Sequence, residues 1–343
     1  MNKTLVKISN CKSGTVLAEN VVTRYGSILI VKNTKVNEYL KFKLDCFHIS
    51  DVWIYSEKEN DEDASYIKLK KDYEINVLQM KGLFNDLANG RKLESDKINN
   101  ISRQIYSHID NFNVINLLSN IKSADEYTFS HSLNVGFYCM LYASGNNFSE
   151  KEALELIQSG LLHDIGKTKV DLTVLNKPGK LTDGEFREIK NHSTYGYEIV
   201  KYDMNISENV KQAILGHHER QDGSGYPYGI NGRDIGEFAK IVALCDVYDA
   251  ITSERVYKGR RTPFEAFKFF QTKGVGIFDT HILNYFVHNI AAMLVGLKVL
   301  LSNGKIGEIV YVPLHDVANP IIAVDSTFID IGKAKDISIV SLV

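Results

Sequence analysis

Histidine and aspartate side chains are concentrated in two short stretches of this chain. One is His163-Asp164-Ile165-Gly166-Lys167, and the other begins with His217-His218-Glu219 and ends with Gly225-Tyr226-Pro227. Imidazole and carboxylate groups side by side are poor core material, because burying an unpaired charge costs several kcal/mol. A bound metal ion removes that cost, so we expect both stretches to contribute ligands to a metal site.

Three further residues carry ligand-type side chains: His131, His192 and Asp246. Asp246 interrupts the apolar run 241–247 and needs a cation, for which an ordinary buried salt bridge is the alternative to a metal. His131 lies at helical spacing from Val135 and Tyr138, and taken alone it is more typical of a hydrogen-bonded core histidine. Taken together, these nitrogen and oxygen donors suit Fe, Mn, Co, Ni or Zn, and a shared aspartate could join two ions that clamp a phosphoryl group.

Composition excludes several classes of protein. With 343 residues, 44% of them hydrophobic, the chain is long enough for two or three domains and is not a disordered sequence. A net charge of −2 gives no drive toward nucleic acid, and no apolar run of membrane-spanning length appears, so we expect no DNA, RNA or membrane partner. The N-terminus lacks the apolar stretch of a signal peptide, and the cysteines at 11, 46, 139 and 245 show no paired spacing. We therefore expect a cytoplasmic protein with reduced thiols.

The pattern of elements predicts a mainly α fold with a small domain at each end. Residues 1–56 indicate an α+β domain of unknown role, with strands near 15–22, 27–31 and 51–55, a helix near 36–47, and Trp53 in its core. A charged linker follows at 57–71, so we expect the chain from about residue 100 onward to fold by itself. Residues 72–295 are helical in pattern, with capping boxes at Ser149, Thr182 and Thr262. Residues 296–343 indicate a C-terminal β module that includes a hairpin at Asn303-Gly304.

Four motifs carry a resemblance to a known family. They are an HD-x-G-K element at 163–167, a K-P-G-x-L-T stretch at 177–182, an H-H-E-x-x-D-G-x-G-Y-P element at 217–227 and a D-x-x-D-A-x-T-S-x-R-x-Y-K stretch at 246–258. With them, about residues 125–290 resemble the HD-GYP subfamily of the HD metal-dependent phosphohydrolases, which are bacterial cyclic di-GMP phosphodiesterases. The resemblance implies a helical HD-type phosphohydrolase domain.

The resemblance also implies a role for each matching residue. Asp164 would bridge two metals and, with Lys167, would be catalytic. Lys167, Tyr226, Arg255 and Lys258 would bind the phosphates and nucleobase of the substrate. The implied metal ligands are His131, His163, Asp164, His192, His217, His218 and Asp246.

The expected cofactors are two divalent transition metal ions, Fe or Mn. Some family members carry a Glu four residues before the first ligand histidine and bind a third metal. Here that position is Tyr127, whose phenol stays protonated at neutral pH and is a poor ligand. Asp125 and Glu126 are nearby but lie off that helix position.

The function implied by the resemblance is hydrolysis of cyclic di-GMP to linear pGpG, with GMP as a minor product. The attacking group would be a hydroxide that bridges the two metals. The alternatives are a phosphodiesterase for another cyclic dinucleotide and a degenerate module that only binds cyclic di-GMP or acts as a scaffold. Degenerate members lose HD or GYP residues, and this chain keeps them. The sequence leaves open whether the protein is a homodimer.

Overall fold

The computed structural model describes residues 3–55, 62–121, 127–146, 148–253, 261–325 and 327–343, without the side chains of residues 62, 63, 127 and 128. The first elements are β1 (Lys3–Lys7), β2 (Val21–Val22), β3 (Ile28–Ile30), α1 (Glu38–Cys46) and β4 (Asp51–Tyr55). The helices that follow are α2 (Glu62–Ala88), α3 (Ser95–Tyr106), α4 (Val114–Asn120), α5 (Tyr127–Gly145), α6 (Glu150–Leu162), α7 (Leu172–Leu175), α8 (Asp183–Lys190), α9 (His192–Val200), α10 (Glu208–Gly216), α11 (Glu237–Thr252), α12 (Pro263–Thr272) and α13 (Thr280–Met293). The last strands are β5 (Lys298–Leu301), β6 (Ile306–Tyr311), β7 (Ile321–Val324), β8 (Thr327–Asp330) and β9 (Ile339–Leu342).

The N-terminal residues form two small antiparallel pairs, β1 with β4 and β2 with β3, packed against α1. Much of the predicted strand at 15–22 is irregular, and only its end pairs as β2. The prediction that Trp53 lies in the core is wrong, since the side chain is 38% exposed. Successive side chains on a strand point to opposite faces, and on β4 the inward position belongs to Val52, which is 3% exposed.

Helix α2 lies against the helical core. It begins at Glu62, inside the segment predicted as a linker. Leu69 and Met80 on this helix are fully buried in the same apolar cluster as α5, α6 and α11. The chain from residue 100 onward would therefore lose part of its own core, which removes the reason for expecting it to fold by itself.

Helices α5 and α6 cross at two glycines. A Cβ atom on Gly160 would lie 2.8 Å from the backbone nitrogen of Gly136, closer than any real side chain approaches. The crossing therefore depends on glycine, and it brings His131 on α5 close to His163 at the end of α6. The predicted capping boxes are present at the starts of α6, α8 and α12.

The C-terminal strands form one antiparallel sheet in the order β8-β7-β6-β5-β9. Its buried face, which includes Val299 and Ile309, continues the core of the helices. The sheet also contacts the N-terminal residues, because the Asn37 amide donates to the Val310 carbonyl at 2.9 Å and the rings of Tyr39 and Tyr311 stack at 5.9 Å. The predicted fold class is confirmed: the molecule is mainly helical, with an N-terminal α+β unit and a C-terminal β sheet.

None of the helices in the described ranges is both long enough and apolar enough to cross a lipid bilayer.

Candidate metal centre

The seven predicted ligand residues come together from several helix ends and two helix interiors. His131 lies on α5 and Asp246 on α11. The other five lie where a helix begins or ends: His163 and Asp164 after α6, His192 at the start of α9, and His217 and His218 after α10. All seven side chains are buried or nearly so. Asp246 is the more open carboxylate, with 14% of its side chain exposed against 2% for Asp164.

Asp164 lies between two groups of donor atoms. Its Oδ1 is 3.5 Å from Nε2 of His192, and its Oδ2 is 3.3 Å from Nε2 of His163 and 3.8 Å from Nε2 of His131. Each carboxylate oxygen therefore faces a different set of histidines. This is the arrangement that a bridging carboxylate requires.

The donor atoms form two clusters, each able to hold one ion. One cluster is His131, His163 and Asp164, and the other is His192, His217 and His218; within each, the donor atoms lie within 4.8 Å of one another. Asp246 adds a carboxylate to the first cluster, because its Oδ1 is 3.1 Å from Nε2 of His131 and 4.0 Å from Nε2 of His163.

Three of the histidines are oriented in the same way by the end of the preceding helix. The Nδ1 atoms of His163, His192 and His217 donate to the carbonyl oxygens of Gly160, Ile189 and Ile214 at 2.8, 2.6 and 2.8 Å. These carbonyls belong to the last turns of α6, α8 and α10, where backbone acceptors have no partner within the helix. A carbonyl can only accept, so each Nδ1 carries the proton and each Nε2 presents a lone pair to the cluster.

The resulting set of lone pairs fits a cation. Nε2 of His192 is 3.2 Å from Nε2 of His217, and since both atoms are acceptors this approach is not a hydrogen bond. Nε2 of His163 is buried and forms no hydrogen bond with any described residue. Imidazole nitrogens with carboxylate oxygens, each His held through its other nitrogen, are a donor set suited to divalent transition metals.

The electrostatics prepare the same groups for coordination. Burial lowers the pKa of His192 and His217, and it lowers the pKa of His218 to about 3, so these rings are neutral. Burial acts to raise the pKa of Asp164, but Lys167, whose Nζ lies 2.5 Å from Oδ2, and His163 hold it well below its usual range. Neutral imidazoles and an ionised carboxylate are the forms that bind a metal.

The orientation of His131 depends on Asp249, a residue without a predicted role. Asp249 is 1% exposed, and its Oδ2 accepts from Nδ1 of His131 at 2.7 Å. Burial acts to lower the pKa of His131, but hydrogen bonds to Asp246 and Asp249 outweigh it and raise that pKa to about 10. Without metal this ring is therefore protonated on both nitrogens, and an ion bound at Nε2 would replace the proton that faces Asp246. The sequence does contain a signal for this role, because Asp249 is a second acid on the same apolar helix, one turn after Asp246.

The loop of the GYP element is held by Glu219, another residue without a predicted role. Its carboxylate is 3% exposed and accepts from the backbone N–H groups of Tyr228, Gly229 and Ile230 at 2.8, 3.2 and 3.1 Å. Gly225 lets the loop fold back, since a Cβ there would lie 2.5 Å from backbone atoms of the preceding turn. The loop thereby brings the ring of Tyr226 onto that of His218, stacked at 4.5 Å.

Tyr226 has a cationic neighbour that was also not predicted. The ammonium of Lys190 lies 5.2 Å from the centre of the Tyr226 ring and 4.7 Å from that of Phe186, which is 50% exposed. Across the described ranges Lys190 makes no ion pair with a carboxylate. Its charge is therefore available to an anion that approaches the metal centre from the side of Tyr226.

Three predictions fall outside what the structure describes. Arg255 and Lys258 belong to the range 254–260, and the side chain of Tyr127, together with residues 122–126, is likewise not described. Their roles stay predictions.

Comparison with known proteins gives the family. Residues 116–282 match the HD domain family. A cyclic di-GMP phosphodiesterase of Pseudomonas aeruginosa is 36% identical over 231 residues, which is 66% of this chain and 55% of that protein. A 3′3′-cGAMP-specific phosphodiesterase of Vibrio cholerae is 36% identical over 138 residues, which is 40% of this chain and 30% of that protein. The chain thus spans about half or less of the length of these relatives.

A solved structure shares the fold. Bd1817, described as an HDG"Y"P protein from Bdellovibrio bacteriovorus, aligns with 83% of this chain and 98% of its own, with a TM-score of 0.52 and 17% identity. At this identity the likeness concerns the fold alone.

Proposed function

Residues 116–282 make this chain a member of the HD domain family, of the HD-GYP subfamily, and from that membership we propose that it hydrolyses the cyclic dinucleotide cyclic di-GMP. The observation that carries the proposal is the pair of donor clusters that share Asp164 beside the GYP loop. Hydrolysis adds water across one phosphodiester bond and opens the ring to linear pGpG.

Two divalent ions, Fe or Mn, would be held by the seven ligand residues. The HD family is metal-dependent, and when bound the ions supply Lewis acidity and an activated water. Asp164 would give one oxygen to each donor cluster. His163, His192 and His217 hold their Nε2 lone pairs in place through bonds to helix-end carbonyls, so these three need little reorganisation when metal binds.

The substrate is a dianion, and the chain offers cations for it. Lys167 lies beside Asp164 and can donate charge-assisted hydrogen bonds to the phosphoryl oxygens on which charge develops. Lys190, at the ring of Tyr226, is suited to the phosphate that is not cleaved, a role we also assign to Arg255 and Lys258. Tyr226 and Phe186 offer ring faces for a nucleobase.

We propose that pGpG accumulates and that GMP is minor. The reason is Tyr127, which occupies the position where a carboxylate could help to hold a third ion. Replacing Tyr127 by Glu should raise the metal content toward three ions per chain and increase the yield of GMP. Three ions bound to the unsubstituted chain would contradict this part of the proposal.

The test is product analysis on cyclic di-GMP, combined with metal analysis of protein purified under low oxygen. We expect about two Fe or Mn per chain and release of pGpG. Asp164→Ala should lose both metal and turnover, whereas Asp171→Asn, an exposed acid that caps α7, should retain both. An Asp164→Ala variant with two metals and wild-type turnover would overturn the assignment.

A mixed guanine–adenine cyclic dinucleotide is the second candidate substrate. It is favoured by the cGAMP-specific relative, which has the same 36% identity over a shorter span. Measuring kcat/KM for both dinucleotides with one preparation decides between them. A purely binding or scaffolding role is disfavoured, because no ligand residue is missing, and it would appear as binding without turnover in the metal-loaded protein.

A further inference from the structure

Tyr73 lies outside the segment that matches the HD family, on helix α2, yet its hydroxyl is part of a chain of hydrogen bonds that ends in the metal centre. The hydroxyl donates to Oδ1 of Asn134 at 2.8 Å. Nδ2 of Asn134 donates to Oδ1 of Asp249 at 3.0 Å, and Oδ2 of Asp249 accepts from Nδ1 of His131 at 2.7 Å. Tyr73, Asn134, Asp249 and His131 are all 5% exposed or less.

The direction of every bond in this relay follows from the two oxygens of Asp249, which accept hydrogen bonds. The amide of Asn134 therefore turns its NH₂ group toward Asp249. That leaves the amide oxygen of Asn134 facing Tyr73, whose hydroxyl must donate. Ser253 adds a further donor to Oδ1 of Asp249 at 2.8 Å.

The last bond fixes the ring of His131. With Nδ1–H directed at Asp249, Nε2 faces Oδ1 of Asp246 at 3.1 Å and Oδ2 of Asp164 at 3.8 Å. His163, His192 and His217 are oriented by helix-end carbonyls, whereas Nδ1–H of His131 is directed at the Asp249 carboxylate. Asp249 takes the place of such a carbonyl, and Asn134 and Tyr73 hold Asp249.

We propose that Tyr73 is a positioning residue of the metal centre, which holds His131 in its ligating orientation through Asn134 and Asp249. The inference rests on the proposed metal centre, but it does not depend on which cyclic dinucleotide is the substrate. A purely structural tyrosine would need only its ring, which already packs against Phe137 with centroids 6.0 Å apart. The hydroxyl is the part that the relay uses.

The experiment compares two tyrosine-to-phenylalanine variants of the full chain. Tyr73→Phe keeps the ring and removes the first donor of the relay. Tyr142→Phe is the matched control: Tyr142 is equally buried, lies on α5 three turns beyond His131, and packs on Tyr285 instead. Each protein is stripped of metal and titrated with Mn²⁺, and the thermal unfolding of the metal-free form is recorded separately.

Removing the outer partner of a metal-ligating histidine typically costs about 10- to 100-fold in affinity. We expect that loss for Asp249→Asn, and roughly 3- to 10-fold for Tyr73→Phe, which is one link further out. Tyr142→Phe should bind Mn²⁺ as the wild type does. Combining Tyr73→Phe with Asp249→Asn should add little to the loss caused by Asp249→Asn, because the relay is already broken.

Two results would overturn the relay. One is a Tyr73→Phe protein with wild-type Mn²⁺ affinity and only a lower unfolding temperature of its metal-free form, since that describes a structural hydrogen bond. The other is equal weakening by Tyr73→Phe and Tyr142→Phe. If the wild-type chain binds neither Mn²⁺ nor Fe²⁺, the metal centre itself fails, and that outcome is distinct because it precedes any comparison of variants.

Discussion

At the scale of single residues, the centre is a place where polar groups are buried in pairs. Four of the ligand histidines direct Nδ1 at a carbonyl or carboxylate oxygen and turn Nε2 toward the metal centre: His131, His163, His192 and His217. Residue types and spacing, together with the resemblance to the family, predicted which side chains meet there. They did not predict the roles of Asp249, Glu219 or Lys190. A residue that orients a ligand or a loop has no characteristic spacing in the sequence, so its role becomes visible only from its contacts in the fold.

Lys190 is expected to contribute to substrate binding without contributing to metal binding. Lys190→Ala removes a charge beside Tyr226, so KM for the cyclic dinucleotide should rise about tenfold, as for loss of one charge-assisted contact. Metal content should stay at the wild-type value, measured on the same preparation. Arg187→Ala on the same helix α8 removes an exposed charge and should leave KM unchanged. Equal effects of the two substitutions would mean that only the overall charge matters.

At the scale of elements, the centre is built from short helices that end next to the ligand histidines. The pattern of capping boxes predicted where α6, α8 and α12 begin. The ends of α6, α8 and α10 could not be predicted in the same way. The histidine whose Nδ1–H donates to a carbonyl of each helix end has the sequence pattern of a ligand rather than of a cap.

Gly166 controls the contact between the turn after Asp164 and helix α9. A Cβ at this position would lie 1.9 Å from the carbonyl oxygen of His192 and 2.4 Å from the backbone nitrogen of Gly196. We expect Gly166→Ala to lower the free energy of unfolding by about 3 kcal/mol or more and to reduce metal content, since the turn must move away from His192.

Gly184 supplies the control for this substitution. Among the described residues, the one atom within 4 Å of a Cβ there would be the Thr182 hydroxyl, at 3.9 Å. Gly184→Ala should be neutral or stabilise by roughly 0.4–1 kcal/mol, through the smaller entropy of the unfolded chain. Chemical denaturation of both variants, with metal analysis, makes the comparison. Unchanged metal content in Gly166→Ala would show that the turn can relax without moving Asp164.

Helix α2 forms a second polar contact through Asp72, whose Oδ2 lies 2.9 Å from Nε2 of His108. Burial lowers the pKa of His108 below 6.5, although Asp72 opposes the shift. A histidine whose pKa is lower in the folded state stabilises the fold above about pH 6.5, and that contribution is lost as the pH falls through the folded-state pKa. The stability of the wild type should therefore fall relative to His108→Gln as the pH drops below about 6.5, measured by denaturant titration in chelator. Parallel pH profiles for the two proteins would contradict this assignment.

At the scale of the whole molecule, the helical core extends beyond the family segment in both directions. Leu69 and Met80 of α2 precede residue 116, and Val299 and Ile309 follow residue 282, yet all four belong to one apolar cluster. The sequence predicted the three kinds of region in order. It could not predict that the first and last of them touch, because a contact between Asn37 and Val310 leaves no local pattern in either segment.

Two truncated chains test how much the N-terminal unit and helix α2 each contribute to folding and metal binding. We expect residues 62–343 to fold and keep metal, because α2 retains its buried face and Tyr73. Residues 100–343 should be insoluble or lack metal, since that chain loses Leu69, Tyr73 and Met80 from its core. Circular dichroism and metal analysis of the two fragments are the measurements. A well-folded, metal-loaded 100–343 fragment would show that α2 is dispensable.

The hydrogen bond between Asn37 and Val310 also determines when the N-terminal unit can complete its packing during translation. The two residues are separated by 273 positions, and a ribosome adds about 5–20 residues per second, so roughly 14 to 55 s pass between their synthesis. Throughout that interval the N-terminal unit exists without the strand that completes its core, since Tyr311 belongs to the same buried cluster as Leu40 and Leu44. The nascent chain therefore exposes the apolar side chains of Leu40 and Leu44 until the strand that carries Tyr311 has been made.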